Sequence, residues 1–172
     1  MTDYATLEKI DDVSVLSLDD GKVNVFSIEM LEAVGEQYWQ EYFSSIANNL
    51  VKGGEALLQV ITIPDDIFAA YRKNVDFIQK YIFPGGMLPS KKVLEKQYLQ
   101  VGLKNVDLKS FGSSYSKTLR LWHTSFNSVW DDISSVKFDD RFKRMWNFYL
   151  ASCAAVFHSK TGDVIQVTLK KS

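Results

Sequence analysis

One stretch constrains the fold more than any other: Ala56-Leu57-Leu58-Gln59-Val60-Ile61-Thr62-Ile63, almost entirely apolar and rich in β-branched residues. Gly53-Gly54 precedes it and Pro64 stops it. Its length and composition suit a buried strand of a parallel sheet better than a helix. Parallel neighbours need crossover helices, and the flanking sequence provides them. Leu31, Val34, Tyr38, Tyr42 and Ile46 recur at helical spacing, which predicts one amphipathic helix over residues 29–51.

The rest of the chain extends this pattern. Residues 4–10 and 13–18 are short runs of β-formers joined at Asp11-Asp12, and 22–28 alternates after the turn signal Asp19-Asp20-Gly21. Residues 67–83 are aromatic-rich and predict a helix, ended by Pro84-Gly85-Gly86. Ser90 reads as the N-cap of a helix over 91–101, which Gly102 closes. A strand at 106–111, helices at 115–136 and 138–158, and a strand at 164–169 follow. In the last helix Phe142, Met145, Tyr149, Cys153 and Val156 form the expected inward stripe. Helices alternating with strands predict an α/β sheet with helices on both faces, preceded by an N-terminal β-hairpin.

Composition narrows the function classes. The 172 residues carry 20 Lys plus Arg against 21 Asp plus Glu, so no overall basic signature for nucleic acid exists. The balance is uneven: residues 1–50 sum to −8 and residues 51–172 to +7. The basic part suits contact with anionic lipid surfaces or acidic ligands, and a solvated surface is the plain alternative. The single cysteine, Cys153, excludes an internal disulfide and a Cys-rich zinc site. No metal pattern, P-loop or Ser-His-Asp order occurs. His123 and His158 lack partners at ligand spacing and read as surface or core histidines. With no signal peptide and no apolar run of membrane-spanning length, the expected location is cytoplasmic.

Several words carry a family resemblance: Ser27-Ile28-Glu29-Met30-Leu31-Glu32-Ala33-Val34-Gly35, Leu57-Leu58-Gln59-Val60-Ile61-Thr62-Ile63, and Asp76-Phe77-Ile78-Gln79-Lys80-Tyr81-Ile82-Phe83-Pro84-Gly85-Gly86. They continue with Leu88-Pro89-Ser90, Tyr115-Ser116-Lys117-Thr118-Leu119-Arg120-Leu121-Trp122 and Arg141-Phe142-Lys143-Arg144-Met145-Trp146. Together these resemble, in order, the C-terminal half of the cyclopropane-fatty-acyl-phospholipid synthase and mycolic acid cyclopropane synthase family. The resemblance implies part of a Rossmann-like class I methyltransferase sheet. It implies S-adenosylmethionine as cofactor and methyl or methylene transfer to a cis double bond in a phospholipid acyl chain, with a bound bicarbonate taking a proton.

Carried over position by position, the bicarbonate pocket of that family falls on Glu32, Gln59, Ile61 (through its backbone) and Tyr115. The loop at Ser27, Ile28 and Glu29 falls on one side of the cofactor. Gln59 stands where the family has histidine, and it can hydrogen-bond but not ionise. Read without the resemblance, Glu32 is more simply an acid favouring a helix N-terminus, and Tyr115 an ordinary buried tyrosine. The family's glycine-rich cofactor turn has no counterpart in these 172 residues. The isolated chain is therefore expected not to bind S-adenosylmethionine at micromolar concentration. Full activity would need a complementing N-terminal methyltransferase half.

Residues 4–34 also resemble the N-terminus of the enoyl-CoA hydratase/isomerase family, through Tyr4-Ala5-Thr6-Leu7-Glu8-Lys9 and Leu18-Asp19-Asp20-Gly21-Lys22-Val23-Asn24-Val25-Phe26-Ser27. That implies a division into a hairpin segment, 1–28, and a methyltransferase-like segment, 29–172, joined naturally or by design. The alternative to an enzyme is a non-catalytic lipid- or partner-binding remnant. In that reading the strand at 22–28 is an open sheet edge, covered by the hairpin or by a second copy through self-association.

Overall fold

The structure, a computed structural model, describes residues 6–10, 13–17, 23–134 and 138–172. Six strands form one sheet: β1 (Thr6–Ile10), β2 (Val13–Ser17), β3 (Val23–Ile28), β4 (Glu55–Thr62), β5 (Leu103–Ser110) and β6 (Asp163–Lys171). Their order is β1-β2-β3-β4-β6-β5. β1 and β2 form the expected hairpin, with Ile10 opposite Val13. Its turn, Asp11-Asp12, lies outside the described residues, as does the turn Asp19-Asp20-Gly21. β2 runs antiparallel to β3, and β3 runs parallel to β4 with Ile28 opposite Gln59. The strand at 22–28 is thus no open edge, because the hairpin pairs with its outer side.

The chain divides into two compact units. The first, residues 1–110 with 164–172, contains the sheet. Along β4 burial alternates, with Ala56, Leu58, Val60 and Thr62 inside. One face of the sheet thus meets the core, while Leu57, Gln59 and Ile61 on the other face are half-buried. The core joins these β4 residues to Trp39, Phe43 and Ile46 of α2 (Trp39–Asn49), Leu94 and Tyr98 of α5 (Lys91–Gln100), and Val167 and Leu169.

The single helix expected over 29–51 is broken. α1 covers only Leu31–Val34, Gly35 turns with φ +81°, a 3-10 turn spans Glu36–Tyr38, and α2 then begins. The break shifts the helical phase. Trp39 is fully buried and Tyr38, which the continuous pattern placed inward, is 51% exposed.

The helix expected over 67–83 also splits, into α3 (Asp65–Tyr71) and α4 (Phe77–Tyr81). Asp76 forms a reciprocal capping box with Gln79 that starts α4 afresh. Neither helix buries a residue fully, and Ile67, Val75, Tyr81 and Phe83 are exposed. Ser90 caps α5 as expected, accepting the Val93 N–H.

The second unit, residues 111–163, is built on α6 (Gly112–Ser128), α7 (Trp130–Ser134) and α8 (Asp140–His158). The helix expected over 115–136 begins three residues earlier and is interrupted at Val129. α6 and α8 run antiparallel: the Ser116 hydroxyl donates to the Ala154 carbonyl at 2.9 Å, and Asn127 meets Asn147. The buried residues of α8 are Leu150, Ala154 and Phe157. The expected stripe lies one position off: Phe142, Met145, Tyr149 and Cys153 are half-buried and Val156 is 40% exposed. Phe126 of α6 draws Phe142 and Trp146 into an aromatic stack, so these rings bury against one another without entering the centre. No helix among the described residues is long and apolar enough to cross a membrane.

Candidate functional site

The carboxyl ends of the parallel pair β3 and β4 gather most of the residues singled out in the sequence. Ligands of open α/β sheets bind at such ends. The chain leaves β3 through Glu29, a non-glycine residue at φ +53°. Its N–H donates to the Gln59 carbonyl at 2.8 Å, which holds this left-handed conformation in place. The Gln59 amide donates to the Glu29 carboxylate at 2.9 Å, and Gln166 of β6 donates to the Gln59 side-chain oxygen at 3.0 Å. Gln59 is thereby fixed in orientation from both ends.

Glu32 occupies the second position of α1 and is 8% exposed. One carboxyl oxygen accepts the Ile61 N–H at 2.5 Å, and the other is buried without a hydrogen-bond partner. Burial is the largest influence on this carboxyl and pushes its pKa up to about 7, against the lowering effect of the Ile61 bond. Glu32 therefore holds its proton to higher pH than an exposed carboxyl does. The backbone carbonyl of Glu32 accepts the Met87 N–H, and the Trp39 indole donates to the Leu31 carbonyl at 3.1 Å. Both bonds pin α1.

Ser27 is buried, and Tyr42 donates to its hydroxyl at 2.6 Å. Burial pushes the Tyr42 phenol pKa up, so Tyr42 stays neutral. Ile28 projects from the opposite side of β3 and is 69% exposed. The structure thus assembles Ser27, Ile28, Glu29, Glu32, Gln59 and Ile61 at one end of the sheet. The Ile61 N–H, expected to face bicarbonate, is turned to the Glu32 carboxyl. Tyr115 belongs to the second unit, half-buried on α6 against Phe111 and Phe157.

Three residues that shape the site were missed as such in the sequence. Gln166 sits in a strand with nothing to mark its partner 107 residues away. Trp39 was hidden by the phase break at Gly35. Tyr42 was legible as a buried helix position, but its bond to Ser27 was not. Among the described residues, no three His, Cys, Asp or Glu side chains gather to hold a metal ion.

The profile of the mycolic acid cyclopropane synthetase family matches residues 3–167. The chain belongs to that family. The matched stretch takes in both hairpin strands as well as residues 27–167. Tuberculostearic acid methyltransferase UfaA1 of Mycobacterium tuberculosis is 40% identical over 162 residues, covering 94% of this chain and 38% of that protein. The cyclopropane-fatty-acyl-phospholipid synthase of Escherichia coli K12 is 33% identical over 167 residues, covering 93% of this chain and 42% of that protein. The chain spans about two fifths of the length of these relatives. Mycolic acid cyclopropane synthase CmaA1, solved with SAH and CTAB, superposes with a TM-score of 0.77 at 28% identity, over 86% of this chain and 55% of that one. The fold is the mixed α/β fold of these methyltransferases.

Proposed function

We propose that this chain contributes the acyl-facing part of an S-adenosylmethionine-dependent enzyme that transfers a methyl or methylene group to the cis double bond of a phospholipid acyl chain. The relatives' names support the reaction class. The observation that carries it here is the buried Glu32 carboxyl with one unbonded oxygen, set at the carboxyl end of a parallel strand pair. S-adenosylmethionine, when bound, supplies the transferred carbon. Ser27, Ile28 and Glu29 would form one wall of its site, with Ile28 giving an apolar contact and Glu29 an acceptor.

Glu32 serves a reaction that builds positive charge on a hydrocarbon chain. A carboxylate in a dry setting stabilises such charge far better than one in water. Bicarbonate, when bound, would supply the base that takes the proton, and Glu32 would face it as the acid, donating its proton in a hydrogen bond instead of repelling a second anion. Gln59, locked between Glu29 and Gln166, presents a fixed dipole and no proton. The exposed Ile67, Tyr81 and Phe83 would line the path of the acyl chain. Peripheral contact with a membrane surface follows from such a substrate.

A second reading is a partner- or lipid-binding chain without turnover of its own. Phe26 at 37% and Ile28 at 69% exposure, on the sheet face away from the core, favour it. One experiment separates the two. Labelled S-adenosylmethionine is supplied with vesicles of cis-unsaturated phospholipid, to the chain alone and to the chain mixed with the N-terminal half of the Escherichia coli relative. Transfer is expected only in the mixture, and Glu32→Gln is expected to lower it about a hundredfold or more. An unchanged rate in Glu32→Gln would remove Glu32 from the reaction, and no transfer in any mixture would leave the binding role. Calorimetry of the chain alone with S-adenosylmethionine is expected to show no saturable micromolar binding, since that needs about 8 kcal/mol and one wall of a cleft falls short.

A further inference from the structure

The second unit holds a cavity of about 350 Å³ that the reaction above does not use. It opens to solvent between α6 and the end of α8, and the basic side chains at it are exposed. Lys117, Arg120, His158 and Lys160 line it together with Ser113 and Leu121, and no carboxylate does. Among the described residues none of these four basic side chains takes part in an ion pair.

Such an arrangement has no internal compensation. Lys117 and Arg120 stand three residues apart on one helix, where like charges destabilise. Lys117 lies nearer the start of α6 and Arg120 at its middle, so neither gains from the negative end of that helix. Lys160 adds a second cost. Its backbone is left-handed at φ +61°, the position after a helix where glycine is the default residue. Thr161 and Gly162 both donate to the Val156 carbonyl and hold the turn that places it there. A lysine kept where glycine would relax the chain points to a task for its ammonium group.

We propose that this cavity binds a phosphate ester, the group carried both by a phospholipid head and by small soluble phosphates. Arg120 offers a planar fork of donors for two phosphate oxygens, and the lysines add point charges. Leu121, 59% exposed at the rim, suits the apolar side of an ester. The volume is at the lower end of small-molecule sites and accommodates a head group, not an acyl chain.

The test is calorimetry of the full chain with glycerol 3-phosphate, beside co-sedimentation with phosphatidylglycerol vesicles. Saturable binding is expected in the first arm. The double variant Lys117→Ala/Arg120→Ala is expected to weaken it about tenfold or more, as two charge-assisted bonds are lost. Lys160→Gly is expected to weaken binding several-fold while raising Tm by about 3 °C, because glycine adopts the left-handed turn without strain. If the ligand is a lipid head, vesicles bind more tightly than the soluble ester and the ester displaces them. If it is a free phosphate, vesicles add nothing. Identical binding by wild type and double variant in both arms, or none in either, overturns the proposal. Because the readout is binding, that outcome leaves the role of Glu32 untouched.

Discussion

Replacing Glu32 by glutamine is expected to remove most of a stability loss that the wild type suffers between pH 4.5 and 7. The folded carboxyl has its pKa raised from 4.5 to about 7, chiefly by burial. A raised folded pKa means that the native state holds its proton more tightly than the unfolded chain. The stabilisation is fully present below pH 4.5 and is lost as pH rises through 7, at about 1.4 kcal/mol per unit. Over the window this amounts to about 3 kcal/mol. Glu32→Gln keeps the side-chain oxygen that accepts the Ile61 N–H and has no proton to lose. Urea denaturation at pH 5 should find the two proteins similar, and at pH 8 the variant more stable. Parallel pH curves would show that Glu32 is not buried as described. Asp65 acts in the opposite sense at lower pH: the Ser90 side-chain bond lowers its carboxyl pKa, so its support is present above the unfolded value and lost on acidification.

Trp39→Ala is expected to cost 3–5 kcal/mol, on the order of large-to-small substitutions at fully buried aromatic positions. Trp39 is 0% exposed, and its indole holds the Leu31 carbonyl one residue before Glu32. The substitution should therefore disturb the site as well as the core. Trp39→Phe separates the two effects, since it keeps most of the volume and drops only the indole donor. It should cost about 1–2 kcal/mol and shift the Glu32 titration, read by NMR of a labelled glutamate. A Trp39→Phe protein with unaltered Glu32 titration would mean that α1 is held by Met87 alone.

Much of the architecture was legible in the sequence because it rests on local chemistry. The apolar run is a strand over Glu55–Thr62, β1 and β2 pair on either side of Asp11-Asp12, and Ser90 and Gly102 bound α5. The errors have one character. Gly35 between Val34 and Glu36 reset the helical phase, so a stripe extrapolated through it chose Tyr38 over Trp39. The capping box at Asp76 and Gln79 restarted a helix inside an aromatic run that read as continuous. In α8 the inward stripe falls one position along, on Leu150, Ala154 and Phe157, while Phe142 stacks against Trp146.

Of the residues singled out by their words, Ser27, Ile28, Glu29, Glu32, Gln59 and Ile61 come to one end of the sheet, but the relations between them were not legible. Sequence alone determined that Glu32 lies at the start of a helix after a strand, and that Gln59 and Ile61 share one face of the next strand. Those facts depend on spacing along the chain and the periods of helix and strand. Only the tertiary structure decided that Glu32 keeps a buried, unbonded oxygen, that Gln166 locks Gln59 from 107 residues away, and that four basic side chains share one cavity. Burial and long-range pairing arise when distant segments exclude water together, and no local pattern encodes which segments those are.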